Sequence, residues 1–189
     1  NPKFIMVIGV SGTARSGKDT FFSLLKLRLK DVGFKCIRTA FADELKKDLN
    51  PLLESKFKIN LDECKDNLKP IVRPLMVSYG VLARSLDQDH WIKKVESKIF
   101  KEQALSKTIS VITDVRYPNE QNFIKKHFKN YCNVHIERFG TKPANEEEEK
   151  YTTELKNQSN YLIYWKDFEN NIEEGLPMID GFINERVKI

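Results

Sequence analysis

Apolar runs of strand length alternate with amphipathic stretches along the chain. Residues 4–10 form a near-continuous apolar run, whereas in residues 21–30 the apolar side chains recur at helical spacing. Further strands are predicted over residues 36–41, 109–113, 134–137 and 161–164. Helices are predicted over residues 17–33, 42–49, 70–84, 91–104, 119–128 and 177–186. Strands that alternate with helices predict an α/β fold in which helices cover both faces of a parallel sheet.

Two polar segments interrupt this alternation. Residues 51–70 show no clear period, and Pro51 is expected to stop the preceding helix at Asn50. Residues 140–150 combine glycine, proline, asparagine and four glutamates, which predicts a mobile surface loop. The sequence contains no repeat, linker or shift in composition that would mark a domain boundary. Its length of 189 residues is that of one domain, so we predict a single domain over residues 1–189.

Composition narrows the class of protein. The 40% hydrophobic content is that of a globular protein, and no apolar run approaches the ~20 residues of a membrane span. The start of the chain leads straight into the first strand without a signal-peptide pattern. Cys36, Cys64 and Cys132 are odd in number and lack metal-site spacing, which indicates free thiols. We therefore expect a cytoplasmic protein without a membrane partner.

The net charge is mildly positive, at +5 from 32 basic and 27 acidic residues. A nucleic-acid-binding protein is one interpretation, which salt-sensitive DNA binding would support. The lysines, however, are spread along the predicted helices, and no helix-turn-helix or zinc-finger pattern is present. A small anionic substrate accounts for the charge equally well, and no stable nucleic-acid partner is expected.

The strongest local signal is a glycine-rich loop between the first strand and the first helix. Two glycines allow the backbone to turn tightly, and successive N–H groups with the helix N-terminus can surround a phosphate. A lysine that follows the second glycine can reach the terminal phosphates of a nucleotide. The predicted cofactor-binding residues are Gly12, Thr13, Ala14, Arg15, Ser16, Gly17, Lys18, Asp19 and Thr20.

This loop departs from the usual pattern at one position. Asp19 follows the lysine where a serine or threonine usually holds Mg²⁺, and Thr20 comes next. A carboxylate is a suitable hard-oxygen partner for Mg²⁺. We therefore expect Asp19 and Thr20 to hold the metal, and leave open which of them contacts it directly.

A second group of polar residues follows the strand predicted over 109–113. Ligands of open α/β sheets bind at the carboxyl ends of the strands, which would place Asp114 and Arg116 beside the glycine loop. Asp114 can hold Mg²⁺ through water or order Lys18, and Arg116 can take an acceptor phosphate in a bidentate grip. A salt bridge at the strand end is the alternative.

A third informative stretch covers residues 80–91. Arg84 lies between an apolar helix and an acidic turn, where it could bind a phosphate, and Trp91 could stack on a base. Trp91 could equally be a core residue. Arg73 belongs to the same helix and contacts a ligand only if that helix faces the cleft.

The order and spacing of these motifs resemble the phage-type deoxynucleoside monophosphate kinase family. The resemblance rests on Arg-Ser-Gly-Lys-Asp-Thr at 15–20, on Gly80, Arg84, Asp87 and Trp91, and on Asp-Val-Arg-Tyr-Pro-Asn-Glu at 114–120. Arg138 stands where the family has an arginine at the end of the next strand. The resemblance covers nearly the whole chain and implies a P-loop kinase-type three-layer fold with a small lid over residues 139–152.

What the resemblance implies is transfer of the γ-phosphoryl group of ATP to a deoxynucleoside monophosphate, with ATP and Mg²⁺ as cofactors. On this hypothesis Lys18 and the loop hold the donor phosphates, and Arg15 bridges the charges of donor and acceptor. Asp114 orders the metal and its waters. The acceptor region would span residues 42–91, and the predicted substrate-binding residues are Lys46, Arg73, Gly80, Arg84, Trp91 and Arg116.

The lid would close over the cleft to exclude water, with Arg138 reaching in from it. Trp165 and Lys166 stand where we would expect an asparagine near the donor base, so the adenine contacts stay open. The family resemblance also suggests a viral product in a host cytoplasm. The base preference, the choice between deoxyribose and ribose, and a homodimer are left open.

Two other functions remain compatible with the glycine loop. One is a P-loop kinase that acts on another phosphorylated small molecule, such as dephospho-coenzyme A or phosphomevalonate. The other is a P-loop ATPase module or switch without an acceptor. The chain has no Asn-Lys-x-Asp guanine motif, and acceptor-stimulated ADP production would separate the two classes.

Overall fold

A computed structural model describes residues 5–104 and 107–187 of the chain. Within them, one sheet contains five strands. Phe4, which the predicted first strand includes, lies outside the described residues. The strands are β1 Ile5–Gly12, β2 Lys35–Thr39, β3 Thr108–Ile112, β4 Tyr131–Arg138 and β5 Tyr161–Trp165.

The strand order is β2-β3-β1-β4-β5, and every pair is parallel. The predicted parallel sheet is therefore confirmed. β1 is central, with Val7 opposite Ser110 of β3 on one side and Tyr131 of β4 on the other. The loop that leaves the carboxyl end of β1 is thus flanked by the segments that follow β3 and β4, at the edge where ligands of such sheets bind.

The helices follow the predicted alternation, with two differences that are described below. No helix in the described part of the chain combines the length and apolarity that a bilayer span requires. A short 3₁₀ turn covers Ile172–Gly175. The α-helices are α1 Lys18–Asp31, α2 Phe41–Phe57, α3 Lys69–Leu86, α4 His90–Gln103, α5 Pro118–His127, α6 Glu146–Gln158 and α7 Leu176–Arg186.

The chain divides into two compact units. The first contains the sheet and covers Asn1–Thr39 and Ile99–Ile189. The second covers Ala40–Lys98, so it contains α2, α3 and the first part of α4. The predicted acceptor region, residues 42–91, falls within the second unit. A single functional domain over the whole chain stays a prediction.

Both faces of the sheet are covered by helices. On one face Met6, Ile8 and Val10 belong to a buried cluster with α1 and α7, whose Phe21 and Phe182 rings pack edge to face at 5.4 Å. On the other face α5 packs so closely that a Cβ on Gly9 would lie 2.5 Å from the Ile124 side chain. Burial on both faces explains why β1 reads as a continuous apolar run.

The helix predicted to stop at Asn50 continues through Pro51 to Phe57, which corrects the sequence prediction. The strand predicted to reach residue 41 ends at Thr39, and α2 begins two residues later. Apolar residues recur at every fourth position of α2 and are buried: Phe41, Leu45, Leu49 and Leu53. Burying each such side chain contributes about 2 kcal/mol, so the set outweighs a proline cost of about 3 kcal/mol.

The predicted surface loop over residues 140–150 is also wrong in its second half, where α6 begins at Glu146. The Asn145 side chain accepts a hydrogen bond from the Glu148 backbone N–H at 2.8 Å and so caps the helix. Four glutamates in the first turn interact favourably with the helix dipole. The Asn-x-x-Glu spacing is the sequence signal that could have predicted this start.

Candidate active site

The loop between β1 and α1 requires glycine at both of its predicted positions. Gly12 has φ 151° and Gly17 has φ 95°, values that other residues rarely adopt. A Cβ on Gly12 would collide with the Ile136 carbonyl oxygen, and one on Gly17 would lie 2.8 Å from the indole nitrogen of Trp165. Arg15, at the exposed tip of the loop, has φ 64°. The loop therefore has the tight, open-backbone geometry that an anion site needs.

Lys18 begins α1 and folds back over this loop. Its ammonium group donates hydrogen bonds to the carbonyl oxygens of Gly12 at 2.9 Å and Thr13 at 2.8 Å. The pKa of Lys18 is lowered, first by burial and second by the positive charge of Arg116. Lys18 and Arg116 thus form a shared region of positive charge.

Three carboxylates oppose this positive charge. They raise the pKa of Lys18 and so lie within electrostatic reach of its ammonium group: Glu148, Asp19 and Asp114. Four of the residues predicted for the site, Lys18, Asp19, Asp114 and Arg116, are therefore brought together at the carboxyl end of the central strand. This arrangement combines donors for phosphate oxygens with carboxylates for a cation.

The segment after β3 is held against β1 by the backbone. The N–H of Val115 donates to the Val10 carbonyl at 3.1 Å. The buried carboxylate of Glu120 accepts hydrogen bonds from the backbone N–H groups of Arg116 at 2.8 Å and Tyr117 at 3.1 Å. Glu120 thereby fixes the turn that carries Arg116, a positioning role that sequence reasoning did not assign to it.

The residues at the start of α1 fit a magnesium ion by their chemistry. Mg²⁺ typically takes one or two protein carboxylates, with waters and phosphate oxygens as its other ligands. The Asp19 carboxylate is 88% exposed and lies 3.7 Å from the Arg38 guanidinium, so it is available to an incoming ion. Asp114 is half-buried and lies two residues after the end of β3. No cluster of three or more ligand side chains occurs within residues 5–104 and 107–187.

A cavity of about 160 Å³ opens beside the first turn of α1. Arg138 lies at its edge, with its guanidinium 3.7 Å from the Asp167 carboxylate. Thr20, in the first turn of α1, also lines the cavity. The remaining lining residues come mainly from the end of β5 and the segment after it: Gly17, Trp165, Lys166, Asp167, Phe168, Glu169 and Ile172.

Trp165 was not among the predicted site residues, yet it supports the loop directly. Its side chain is 3% exposed, and its indole N–H donates to the Ser16 carbonyl at 2.8 Å. The ring occupies the space beside Gly17. The two residues are far apart in sequence, and no local pattern marks this contact.

In the second unit Trp91 is a buried residue. Its indole N–H donates to the Gly80 carbonyl at 3.3 Å, and its ring packs edge to face on Tyr79 and His90. A Cβ on Gly80 would lie 3.1 Å from the Leu45 side chain, so α2 and α3 approach closely there. Contact of Trp91 with an acceptor base stays a prediction.

The basic residues predicted for the acceptor are also in the second unit. Arg84 is half-buried and Arg73 is exposed on α3. The two are eleven residues apart, which places them about 20° apart around the helix axis. Lys46 lies 3.5 Å from Asp62. Their role in binding an acceptor stays a prediction.

A residue of α6 reaches the loop that sequence analysis assigned to phosphate. One oxygen of the Glu148 carboxylate accepts a hydrogen bond from the Ala14 backbone N–H at 2.6 Å, and the other accepts one from Ala144. The hydroxyl of Thr13 lies 3.4 Å from that of Thr141. Sequence reasoning placed a lid here but could not indicate which of four consecutive glutamates contacts the loop.

Comparisons with known proteins establish the fold. No protein-family model matches the chain, and the search of curated proteins gave no match. Among solved structures, the Mycobacterium tuberculosis APS kinase CysC in complex with AMPPNP and APS aligns over 97% of this chain and 99% of its own, with 10% identity and a TM-score of 0.52. A sugar kinase from Janibacter sp. HTCC2649 aligns over 97% and 95%, with 11% identity and a TM-score of 0.42. The chain therefore has the α/β fold of the P-loop APS kinase, with an all-parallel sheet between layers of helices.

Proposed function

We propose that this chain is an ATP-dependent kinase that transfers the γ-phosphoryl group of ATP to a deoxynucleoside monophosphate, releasing ADP and the diphosphate. The observation that carries the proposal is the cluster of Lys18, Asp19, Asp114 and Arg116 around the glycine loop. The chain shares its fold with a kinase solved in complex with AMPPNP, which supports a nucleoside triphosphate as the phosphoryl donor. The motifs at residues 80–91 and 114–120 support the acceptor class.

The donor phosphates would lie on the backbone N–H groups of the loop and the first turn of α1. The positive end of the helix and the charge of Lys18 compensate the phosphate oxygens. The cavity beside Gly17, with Arg138 and Trp165 in its wall, is where we propose the adenosine part binds. The bound nucleotide would thus extend from this cavity to Lys18.

Magnesium would be held by Asp19 and Thr20, with Asp114 ordering its waters. When bound, the ion neutralises charge on the phosphate oxygens. The Asp19 carboxylate lies in the first turn of α1, 3.7 Å from the Arg38 guanidinium. The chain's own contribution is to orient oxygen donors towards the position of the phosphates.

The acceptor phosphate would be bound by Arg84 and Arg116, while Arg15 bridges the charges of donor and acceptor. A monophosphate has a second pKa near ~6, so it is mostly ionised at neutral pH and needs no general base. Phosphoryl transfer depends on positioning and charge compensation more than on covalent help. Lys46, Arg73, Gly80 and Trp91 would shape the remainder of the acceptor pocket.

A coupled ADP-release assay tests this proposal. The protein, ATP and Mg²⁺ are combined with dAMP, dCMP, dGMP, dTMP, 5-hydroxymethyl-dCMP and the ribonucleotides in turn. Acceptor-stimulated ADP release with one or more deoxynucleotides supports the proposal and defines the base preference. ATP binding without any acceptor stimulation would exclude a nucleoside monophosphate kinase and favour another phosphorylated acceptor. ADP release that no acceptor stimulates would favour an ATPase module.

A further inference from the structure

The phosphate-binding loop already holds an anion that belongs to the chain itself. The Glu148 carboxylate accepts a hydrogen bond from the Ala14 backbone N–H at 2.6 Å, and hydrogen bonds to an ionised carboxylate are stronger than those between neutral groups. Ala14 is in the middle of the loop, between the two glycines whose backbone conformation opens it to an anion. A carboxylate oxygen on this N–H occupies a position at which a phosphate oxygen would bind.

Lys18 also makes contacts within the loop. The Lys18 ammonium donates to two carbonyl oxygens of the loop, Gly12 and Thr13. The negative charge of Glu148 acts on the same ammonium group. A nucleotide that enters the loop must therefore replace the Glu148 contact, whereas the Lys18 ammonium group keeps a third N–H donor for a phosphate oxygen.

Glu148 is held in place by its surroundings in α6. Its backbone N–H is capped by the Asn145 side chain at 2.8 Å, and its second carboxylate oxygen accepts the N–H of Ala144. Next to it, Glu147 accepts a hydrogen bond from the Tyr117 hydroxyl at 2.8 Å. These contacts hold the first turn of α6 against both the loop and the segment after β3.

We propose that Glu148 is a specificity-determining residue: a tethered carboxylate that competes with phosphate for the loop and admits only ligands with several phosphate contacts. A tethered group competes at a high effective concentration, so a weak monovalent contact cannot replace it. A nucleoside triphosphate gains contacts along the whole loop and can therefore replace the Glu148 carboxylate. Inorganic phosphate gains too few. This inference rests on the proposed binding of nucleotide phosphates to the loop.

Titration calorimetry on Glu148→Gln tests the proposal, with AMPPNP and inorganic phosphate as the probes. Glutamine keeps the length of the side chain and removes its charge. We expect AMPPNP to bind about tenfold tighter than to the wild type, and inorganic phosphate to bind measurably only to the variant. The matched control is Glu149→Gln, an exposed glutamate of the same helical turn, which should change either affinity less than twofold.

Equal or weaker AMPPNP binding by a folded Glu148→Gln variant overturns the inference, because removal of a competing carboxylate must increase the affinity for AMPPNP. Circular dichroism establishes the fold of each variant. Hydrogen exchange gives a second test: AMPPNP should increase exchange at residues 146–149 of the wild type, and added protection there would contradict displacement. Wild-type protein that binds AMPPNP but shows no acceptor-stimulated ADP release from ATP would refute the proposed function alone. Absence of AMPPNP binding to both proteins would refute both proposals.

Discussion

The indole N–H of Trp165 donates a hydrogen bond to the carbonyl oxygen of Ser16 at 2.8 Å, which ties the end of β5 to the glycine loop. The ring also fills the space beside Gly17, whose φ of 95° is required for the start of α1. A strand at the edge of the sheet therefore sets the conformation of the loop that leaves its centre. The contact links the proposed adenosine cavity to the proposed phosphate site.

We predict that Trp165→Phe weakens AMPPNP binding about three- to tenfold and destabilises the protein by about 2–3 kcal/mol. Phenylalanine leaves the Ser16 carbonyl without this donor, which costs about 1–3 kcal/mol for a buried acceptor, and the smaller ring leaves part of the buried space unfilled. Calorimetry and urea unfolding measure the two effects. Trp91→Phe is the matched control, since it also loses an indole hydrogen bond, to Gly80 at 3.3 Å, and should leave AMPPNP affinity unchanged. Equal loss of nucleotide affinity in both variants would contradict the prediction.

Nucleotide affinity should decrease as pH rises, and the decrease should begin at a lower pH than a lysine with an ordinary pKa would cause. The pKa of Lys18 is lowered from 10.5 by burial and by Arg116, so its positive charge is lost earlier as pH rises. Bound phosphates favour the charged form and raise the pKa, so binding in this range should take up a proton. Titrations of AMPPNP between about pH 7 and 10, in buffers of different ionisation enthalpy, measure both effects.

The Lys18→Arg variant distinguishes the deprotonation of Lys18 from that of other groups, because an arginine stays charged throughout this pH range. The alkaline decrease should be absent or much smaller in the variant. An equally steep decrease in both proteins would assign the titration to another group.

The sheet and the glycine loop could be predicted because their signals are local. The apolar run of β1 and the glycines at 12 and 17 lie within a few residues of each other. The apolar run forms a buried strand, and the two glycines adopt positive φ angles. The position of Lys18 at the start of α1 follows from the same pattern. Strand ends were predicted within one or two residues, except in β4, which is longer than predicted and covers Tyr131–Arg138.

The contacts that complete the site could not be predicted in this way. Trp165 and Ser16 are separated by 149 residues, and Glu148 and Ala14 by 134. Such pairs are determined by packing, which single-sequence periodicity does not report. The start of α6 was missed for a different reason, because its polar composition suggested a loop although Asn145 is a good helix cap.

We predict that Arg84→Ala raises the acceptor KM at least tenfold and changes AMPPNP affinity less than twofold. This follows from the proposed charge-assisted bonds between Arg84 and the acceptor phosphate, each worth about 1.5–3 kcal/mol. Steady-state kinetics with the preferred deoxynucleotide and calorimetry with AMPPNP separate the two ligands. Lys69→Ala is the control, since it removes a cation from the first turn of the same helix, where it pairs with Asp66 at 2.8 Å. Equal damage to donor and acceptor binding would exclude the proposed role.

The stability of the protein should decrease in mild acid because of His135. This side chain is fully buried, and its Nδ1 lies 2.8 Å from the Ser11 hydroxyl. Burial lowers its pKa from 6.5 to about 4, although the nearby Glu137 carboxylate acts in the opposite direction. The positive charges of Lys156 and Lys18 contribute to the lowering of this pKa. The folded state therefore holds His135 neutral in a range where the unfolded chain binds a proton.

Between about pH 6.5 and 4 the unfolded state binds more protons, so the free energy of unfolding must decrease as pH falls. The loss amounts to about 3 kcal/mol at most, since each pKa unit corresponds to about 1.4 kcal/mol. Urea unfolding at pH 7, 6, 5 and 4 measures this slope. His135→Gln should flatten it, whereas His127→Gln, which changes an exposed histidine, should leave it unchanged. A wild-type slope that persists in His135→Gln would show that other groups account for the acid sensitivity.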